Sequence, residues 1–296
     1  MAKLGFLGLG LMGYPMARNL ITARHDVALW SNTRANAEKL AAEAGGKVCA
    51  TPAEVAKHAD CVFLCVGTPE MSEAVILGPG GLREGGKKGL VVVDTSTVSP
   101  TSSRHIHKEL AQAGMDFLGA PCTGSTPGAT KGTLLFMIGG DEKVFERVRP
   151  YFEPMGKKLY YCGGPGMGLH AKLTQNLVLA NILQAFNEGI VLSTKAGINP
   201  KLMVDILSDS AAKSGLIEYK APFVFRRDFG VNFSVKWMLK DIRLMLETAE
   251  ELSVPLMMTS LCAQIAQVAV NEGYGDEDIC STIKVLEGWT GVEVKA

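Results

Sequence analysis

The sequence lacks an excess of charge of either sign: 30 Lys and Arg balance 30 Asp and Glu over 296 residues. No overall field draws it to nucleic acid and no basic tract supplies a local one, so no nucleic-acid partner is expected. It also lacks any C-x-x-C pair. Its seven cysteines (49, 61, 65, 122, 162, 262 and 280) form an odd set, which points to reduced thiols and a cytoplasmic setting rather than a disulfide framework. Histidine is scarce, with five in all, and the close pair His105-x-His107 lies in a helical stretch where that spacing separates the two rings. No metal site is expected. The longest apolar segments read as too short for a membrane span. The first apolar run is interrupted by glycines and has no cleavage-type boundary, so it reads as a strand and not as a signal peptide.

Glycine, by contrast, is abundant (33 residues) and is placed with purpose near the start. Lys3-Leu-Gly-Phe-Leu leads into Gly8-x-Gly10-x-x-Gly13, and a helix-like segment follows. In that order the first glycine permits a tight turn, the second lets backbone approach a pyrophosphate, and the third lets helix pack on strand. The N–H groups opening the helix, with Leu11 and Met12 between the glycines, then face the phosphates. Dinucleotide binding is the expectation, although three glycines alone also describe a bare turn.

The length suggests two domains. Residues 4–7, 27–30, 61–66, 90–94 and 117–119 read as strands. Stretches 16–23, 35–44, 52–57 and 100–113 read as helices, an alternation that implies parallel strands joined by crossover helices. Further strands at 133–139 and 158–162, with a helix at 142–152 between them, complete an α/β doubly wound domain over 1–163. Residues 164–296 carry no strand-rich stretch and read as an all-α domain. It is entered through one long helix, about 168–196, apolar on nearly every face and therefore expected to be buried. Breaks are expected at 197–200, Pro222, Pro255 and 273–275.

Three groups of residues carry chemistry. After the second strand comes Ser31-Asn32-Thr33-Arg34, with no carboxylate to bind ribose hydroxyls. Hydroxyls, an amide and a guanidinium suit a 2′-phosphate, favouring NADPH over NADH. Arg34 also fits the first turn of a surface helix. Lys172 and Asn176 lie one turn apart on the apolar helix and share a face, as a polar site requires. A lysine stem reaching solvent fits the same spacing. Finally, Asp94-Thr-Ser96-Thr97-Val-Ser-Pro100 and Ala120-Pro-Cys-Thr123-Gly124-Ser125 fall after later strands, where open α/β sheets bind ligands. Their hydroxyls and N–H groups suit a carboxylate, and equally an ordinary loop or cap.

Together these segments resemble the β-hydroxyacid dehydrogenase family over nearly the whole chain, most closely its glyoxylate and succinic semialdehyde reductase branch. The glycine segment through Ala17, the run 94–100, Gly119–Ser125 and Gly166-Met-Gly-Leu-His-Ala-Lys172-Leu-Thr-Gln-Asn176 resemble that family's cofactor, middle, substrate and catalytic motifs, in order. The resemblance implies a Rossmann-type first domain and a homodimer or homotetramer. It makes Lys172 the general acid/base with Asn176 positioning substrate, and gives Ser96 and Thr123-Gly124-Ser125 to a small anionic aldehyde or hydroxyacid. Phe233 and Asp241 would border the pocket, while Val66, Gly67, Thr97 and Lys240 would contact the cofactor. The family's substrate motif commonly has Asp where this chain has Gly119 and Ser where it has Thr123. Its NADPH enzymes often carry Asn-Arg-Thr where Ser31-Asn32-Thr33 stands. Imine reductases, which generally lack a lysine at the position of Lys172, and non-catalytic cofactor-binding proteins, some of which have lost it, are the rival readings.

Overall fold

In the computed structural model, which describes residues 1–295, the chain folds as two compact units, Met1–Lys172 and the residues from Leu173 onward. The first is built on nine strands: β1 (Lys3–Leu7), β2 (Asp26–Trp30), β3 (Lys47–Val48), β4 (Cys61–Leu64), β5 (Val91–Asp94), β6 (Asp116–Gly119), β7 (Cys122–Thr123), β8 (Leu134–Gly140) and β9 (Gly156–Gly163). Their order is β3-β2-β1-β4-β5-β6-β8-β7, with β9 beside β8. The first six run parallel. This is the doubly wound Rossmann arrangement, whose strand order reverses between β1 and β4. Beyond β6 the parallel rule fails: β8 runs antiparallel to β6 and to β7.

Both faces of the sheet are covered, which is why its strands read as unbroken apolar runs. Cys61, Phe63, Val91 and Val93 point into one core. Their neighbours Val62, Leu64 and Val92 point into the other. Phe152 anchors the first core with edge-to-face contacts to Phe63, Phe136 and Phe145. A helix at Pro69–Leu77, capped by Thr68 with proline at its first position, joins β4 towards β5 and was not expected from the sequence. Nor were Cys122–Thr123 as a short strand and Ser125–Lys131 as a helix, where a plain loop had been expected.

The second unit is helical. Its elements include Pro200–Asp209, Gly215–Phe225, Val235–Glu251, Met257–Ala269 and Ile283–Thr290. Pro222, expected as a break, sits inside Gly215–Phe225. Burial of Ile217, Ala221 and Val224 on that helix outweighs the one backbone bond a proline forfeits. The long helix is Met167–Lys195, and two expectations about it need correction. It is not buried all round, since Leu192 is 72% and Val178 49% exposed. It is also long and apolar enough to cross a membrane by length and composition. Its amides pack inside the fold, however: Asn187 is buried and donates to Thr282 Oγ1 at 2.9 Å.

Candidate active site

The glycine loop follows β1 at the reversal point. Gly8 has φ +83°, and a Cβ there would lie 2.2 Å from the Cys65 carbonyl oxygen after β4. A Cβ on Gly13 would lie 1.9 Å from the Gly8 carbonyl oxygen, so the helix Gly13–Thr22 can approach the strand only without a side chain. Gly10 differs, being exposed with nothing within 4 Å of an added Cβ. The space above it is open to a ligand. The helix has no side-chain cap at Met12 and no acidic residue in its first turn, which leaves its positive end to an anion. These features fit the pyrophosphate of a dinucleotide.

Ser31, Asn32, Thr33 and Arg34 follow β2 at the surface. Arg34 Nε donates to Glu38 Oε1 at 2.7 Å, one turn along its own helix. Asn36, which the sequence did not single out, donates from Nδ2 to the Leu9 carbonyl at 3.0 Å. It ties this helix to the glycine loop.

At the end of β5, Asp94 is buried and organises three segments. Its Oδ1 accepts the Ser96 N–H at 2.8 Å, and its Oδ2 accepts the Ser72 hydroxyl from Pro69–Leu77. Ser96 is buried too, and its Oγ accepts the Val66 N–H at 2.8 Å. Val66-Gly67 and Ser96-Thr97 are thereby held together where β4 and β5 end, although 30 residues separate Val66 from Ser96. Asp94 was read only as the start of its motif, and Ser72 was missed, because only the fold brings the two together.

The substrate-motif segment is strained. Gly124 has φ +132° and Ser125, a non-glycine residue, φ +54°. Glycine adopts its value freely, but for serine the left-handed region costs energy, and such residues concentrate at ligand sites. Lys172, 7% exposed, acts electrically on this segment. Burial pushes the Cys122 thiol up to about 11, while the Lys172 charge pulls it the other way. A close backbone approach holds the start of the Lys172 helix in place, for a Cβ on Gly168 would meet the Met137 carbonyl oxygen at 2.3 Å and that of Gly119 at 2.7 Å.

In the second unit Asn176 and Asp241, each 2% exposed, form a buried pair. Asn176 Nδ2 donates to Asp241 Oδ2 at 2.6 Å, and Lys240 Nζ lies 2.9 Å from Asp241 Oδ1. Asp241 thus orients the amide of Asn176 and the ammonium of Lys240. Phe233 is half-buried just before the helix Val235–Glu251 that carries both.

The comparisons with known proteins agree across both units. A family model described as the NAD binding domain of 6-phosphogluconate dehydrogenase matches residues 3–164. One described as the NAD-binding of NADP-dependent 3-hydroxyisobutyrate dehydrogenase matches residues 166–286. The chain is 38% identical over 293 residues to a 2-(hydroxymethyl)glutarate dehydrogenase of Eubacterium barkeri, covering 99% of this chain and 97% of that protein. It is 35% identical over 285 residues to the chloroplastic glyoxylate/succinic semialdehyde reductase 2 of Arabidopsis thaliana, covering 96% and 79%. The 3-hydroxyisobutyrate dehydrogenase of Mycobacterium tuberculosis, solved with L-serine, superposes with a TM-score of 0.89 at 31% identity, covering 97% of this chain and 99% of that one. With the glycine loop and the two-unit fold, these matches identify the chain as a member of the β-hydroxyacid dehydrogenase family, an oxidoreductase with a nicotinamide-cofactor-binding domain.

Proposed function

We propose that the protein is an NADPH-preferring reductase of small aldehyde-acids such as glyoxylate or succinic semialdehyde, and that it runs reversibly. The observation that carries the reading is Lys172: a lysine buried on an apolar helix whose first turn packs against the backbone of Gly119 and Met137. Reductases of glyoxylate and succinic semialdehyde among its relatives support the substrate class.

The dinucleotide would lie over Gly8, Gly10, Leu11, Met12 and Gly13, with its nicotinamide end near Val66, Gly67, Thr97 and Lys240. Ser31, Asn32, Thr33 and Arg34 would receive the 2′-phosphate, Arg34 through the terminal nitrogens of its guanidinium while Nε keeps its contact with Glu38. When bound, reduced nicotinamide supplies the hydride. Lys172 as an ammonium stabilises charge growing on the carbonyl oxygen and donates a proton to it; as the neutral amine it takes that proton back from the hydroxyl in the oxidation direction. Thr123, Gly124 and Ser125 would hold the substrate carboxylate and so fix the reacting carbon. Ser96 would act by holding the Val66 backbone, while Asn176, Phe233 and Asp241 would orient and enclose the substrate. The protein would work in the cytoplasm as a homodimer or homotetramer.

Initial rates of NADPH and NADH oxidation with glyoxylate and with succinic semialdehyde test the reading. Rapid loss of NADPH with either aldehyde-acid is expected. Faster turnover with NADH would overturn the cofactor preference, and no turnover with either cofactor would overturn the reductase reading.

A further inference from the structure

The helical unit buries an ion pair that the chemistry above does not use. Lys220, on Gly215–Phe225, and Asp278, which caps the turn Ile279–Thr282, are each about 98% buried, at 2% and 1% exposure. Lys220 Nζ donates to Asp278 Oδ1 at 2.7 Å and to Oδ2 at 2.9 Å. The ammonium also lies 4.7 Å from the ring centroid of Tyr219 and 5.5 Å from that of Phe223. Desolvating such a pair costs so much that an apolar pair of similar volume is often as stable. An apolar pair could not, however, supply the acceptors that Asp278 supplies to neighbouring backbone.

Two of the three backbone contacts meet one short segment. Asp278 Oδ2 accepts the N–H of Asn232 at 3.1 Å and of Phe233 at 3.2 Å, and Oδ1 accepts that of Cys280 at 3.2 Å. The backbone reinforces this mooring: Asp278 N–H donates to the Phe229 carbonyl at 3.0 Å and Ile279 N–H to the Phe233 carbonyl at 2.9 Å. Phe233 therefore has its own N–H and its own C=O tied to residues 278 and 279.

We infer that Asp278, charge-balanced by Lys220, is a positioning residue that fixes the Asn232–Phe233 backbone and thereby sets how the Phe233 ring meets the carbon chain of the substrate. The inference rests on the reading that Phe233 borders the substrate. Phe233 has no hydrogen-bonding group in its side chain, so it acts on methylenes. Succinic semialdehyde has two and glyoxylate none, so the mooring bears on selection between them.

Two doubly substituted proteins separate mooring from charge. Lys220→Met with Asp278→Leu removes the ion pair and the acceptor; Lys220→Met with Asp278→Asn removes the pair but keeps a carbonyl acceptor. In K220M/D278L the KM for succinic semialdehyde should rise about tenfold, within the range of lost methylene contacts, while the KM for glyoxylate and for NADPH stay near the parent values. Amide hydrogen exchange over residues 229–235 should speed up about tenfold, the equivalent of about 1.4 kcal/mol, and needs no turnover to read. K220M/D278N should behave as the parent in both measurements. Parent-like exchange in K220M/D278L, or a tenfold KM rise in K220M/D278N, would overturn the inference. Fast exchange without the KM change would overturn the positioning role. Phe233→Ala serves as the control: if it leaves both aldehyde KM values unchanged, the pocket reading of Phe233 itself fails, and the inference with it.

Discussion

The pair Asn176–Asp241 allows a measured test of how the helical unit is organised. The amide donates to the carboxylate at 2.6 Å, and both residues are 2% exposed. A buried hydrogen bond to a charged group contributes about 1.5–3 kcal/mol. Asp241→Ala also strips Lys240 of its ion pair, so it should cost about 3–4 kcal/mol, the lower part of the range for breaking a buried charged contact. Asn176→Ala should cost about 1–3 kcal/mol. The double variant should cost less than the sum, giving a coupling energy of about 1.5–3 kcal/mol. A two-unit chain need not unfold in one transition. The cycle is therefore read by urea denaturation on the fluorescence of Trp237, which lies 5.9 Å from Lys240 Nζ, with Trp30 and Trp289 replaced by Phe. A coupling energy below about 0.5 kcal/mol would refute the argument that the two side chains act as a unit.

Three further predictions concern the nucleotide-binding unit. Gly10→Ala should leave the urea midpoint unchanged, because an added Cβ meets nothing within 4 Å, yet weaken cofactor binding at least tenfold; Gly13→Ala should lose binding and also about 1–3 kcal/mol of stability, because its Cβ would strike the Gly8 carbonyl. Calorimetric titration with NADPH beside denaturation separates the two. Arg34→Ala should lower kcat/KM for NADPH about tenfold with NADH little affected, and change stability by less than about 0.5 kcal/mol because the Arg34–Glu38 pair is exposed. The Cys122 thiol, raised to about 11 in the folded protein against an ordinary 9.0, keeps its proton longer in the folded than in the unfolded chain. Its contribution to stability is complete below pH 9 and is lost as pH rises from 9 to 11. Cys122→Ser should flatten that part of the urea-midpoint profile.

Much of the fold was legible because local pattern and tertiary role coincide. The parallel strands had to be apolar on both faces, so each announced itself as a run such as Cys61–Leu64. The three glycines were readable because two of them make backbone approaches no side chain permits. The helix Pro69–Leu77 escaped notice because its buried positions, Ser72 and Ile76, make no continuous apolar stripe. Pro222 misled because its local cost is real, and only the packing of its helix shows why it is tolerated. At the candidate site, the shared face of Lys172 and Asn176 followed from their spacing. That Asn176 gives its amide to Asp241, 65 residues away, did not. Nor did the Ser72–Asp94–Ser96–Val66 linkage, whose members lie in three segments. Such pairings are decided by where elements pack, which spacing along a chain does not encode.

The most direct test of the account is single-turnover and steady-state reduction of glyoxylate and succinic semialdehyde by Lys172→Ala, with NADPH affinity measured on the same preparation. Loss of a positioned general acid costs about 10²–10⁴ in rate. The account expects a fall in kcat of that size with the NADPH dissociation constant within about twofold of the parent, an affinity change of under about 0.5 kcal/mol. Near-parent turnover in the variant would contradict the role of Lys172 and the mechanism built on it.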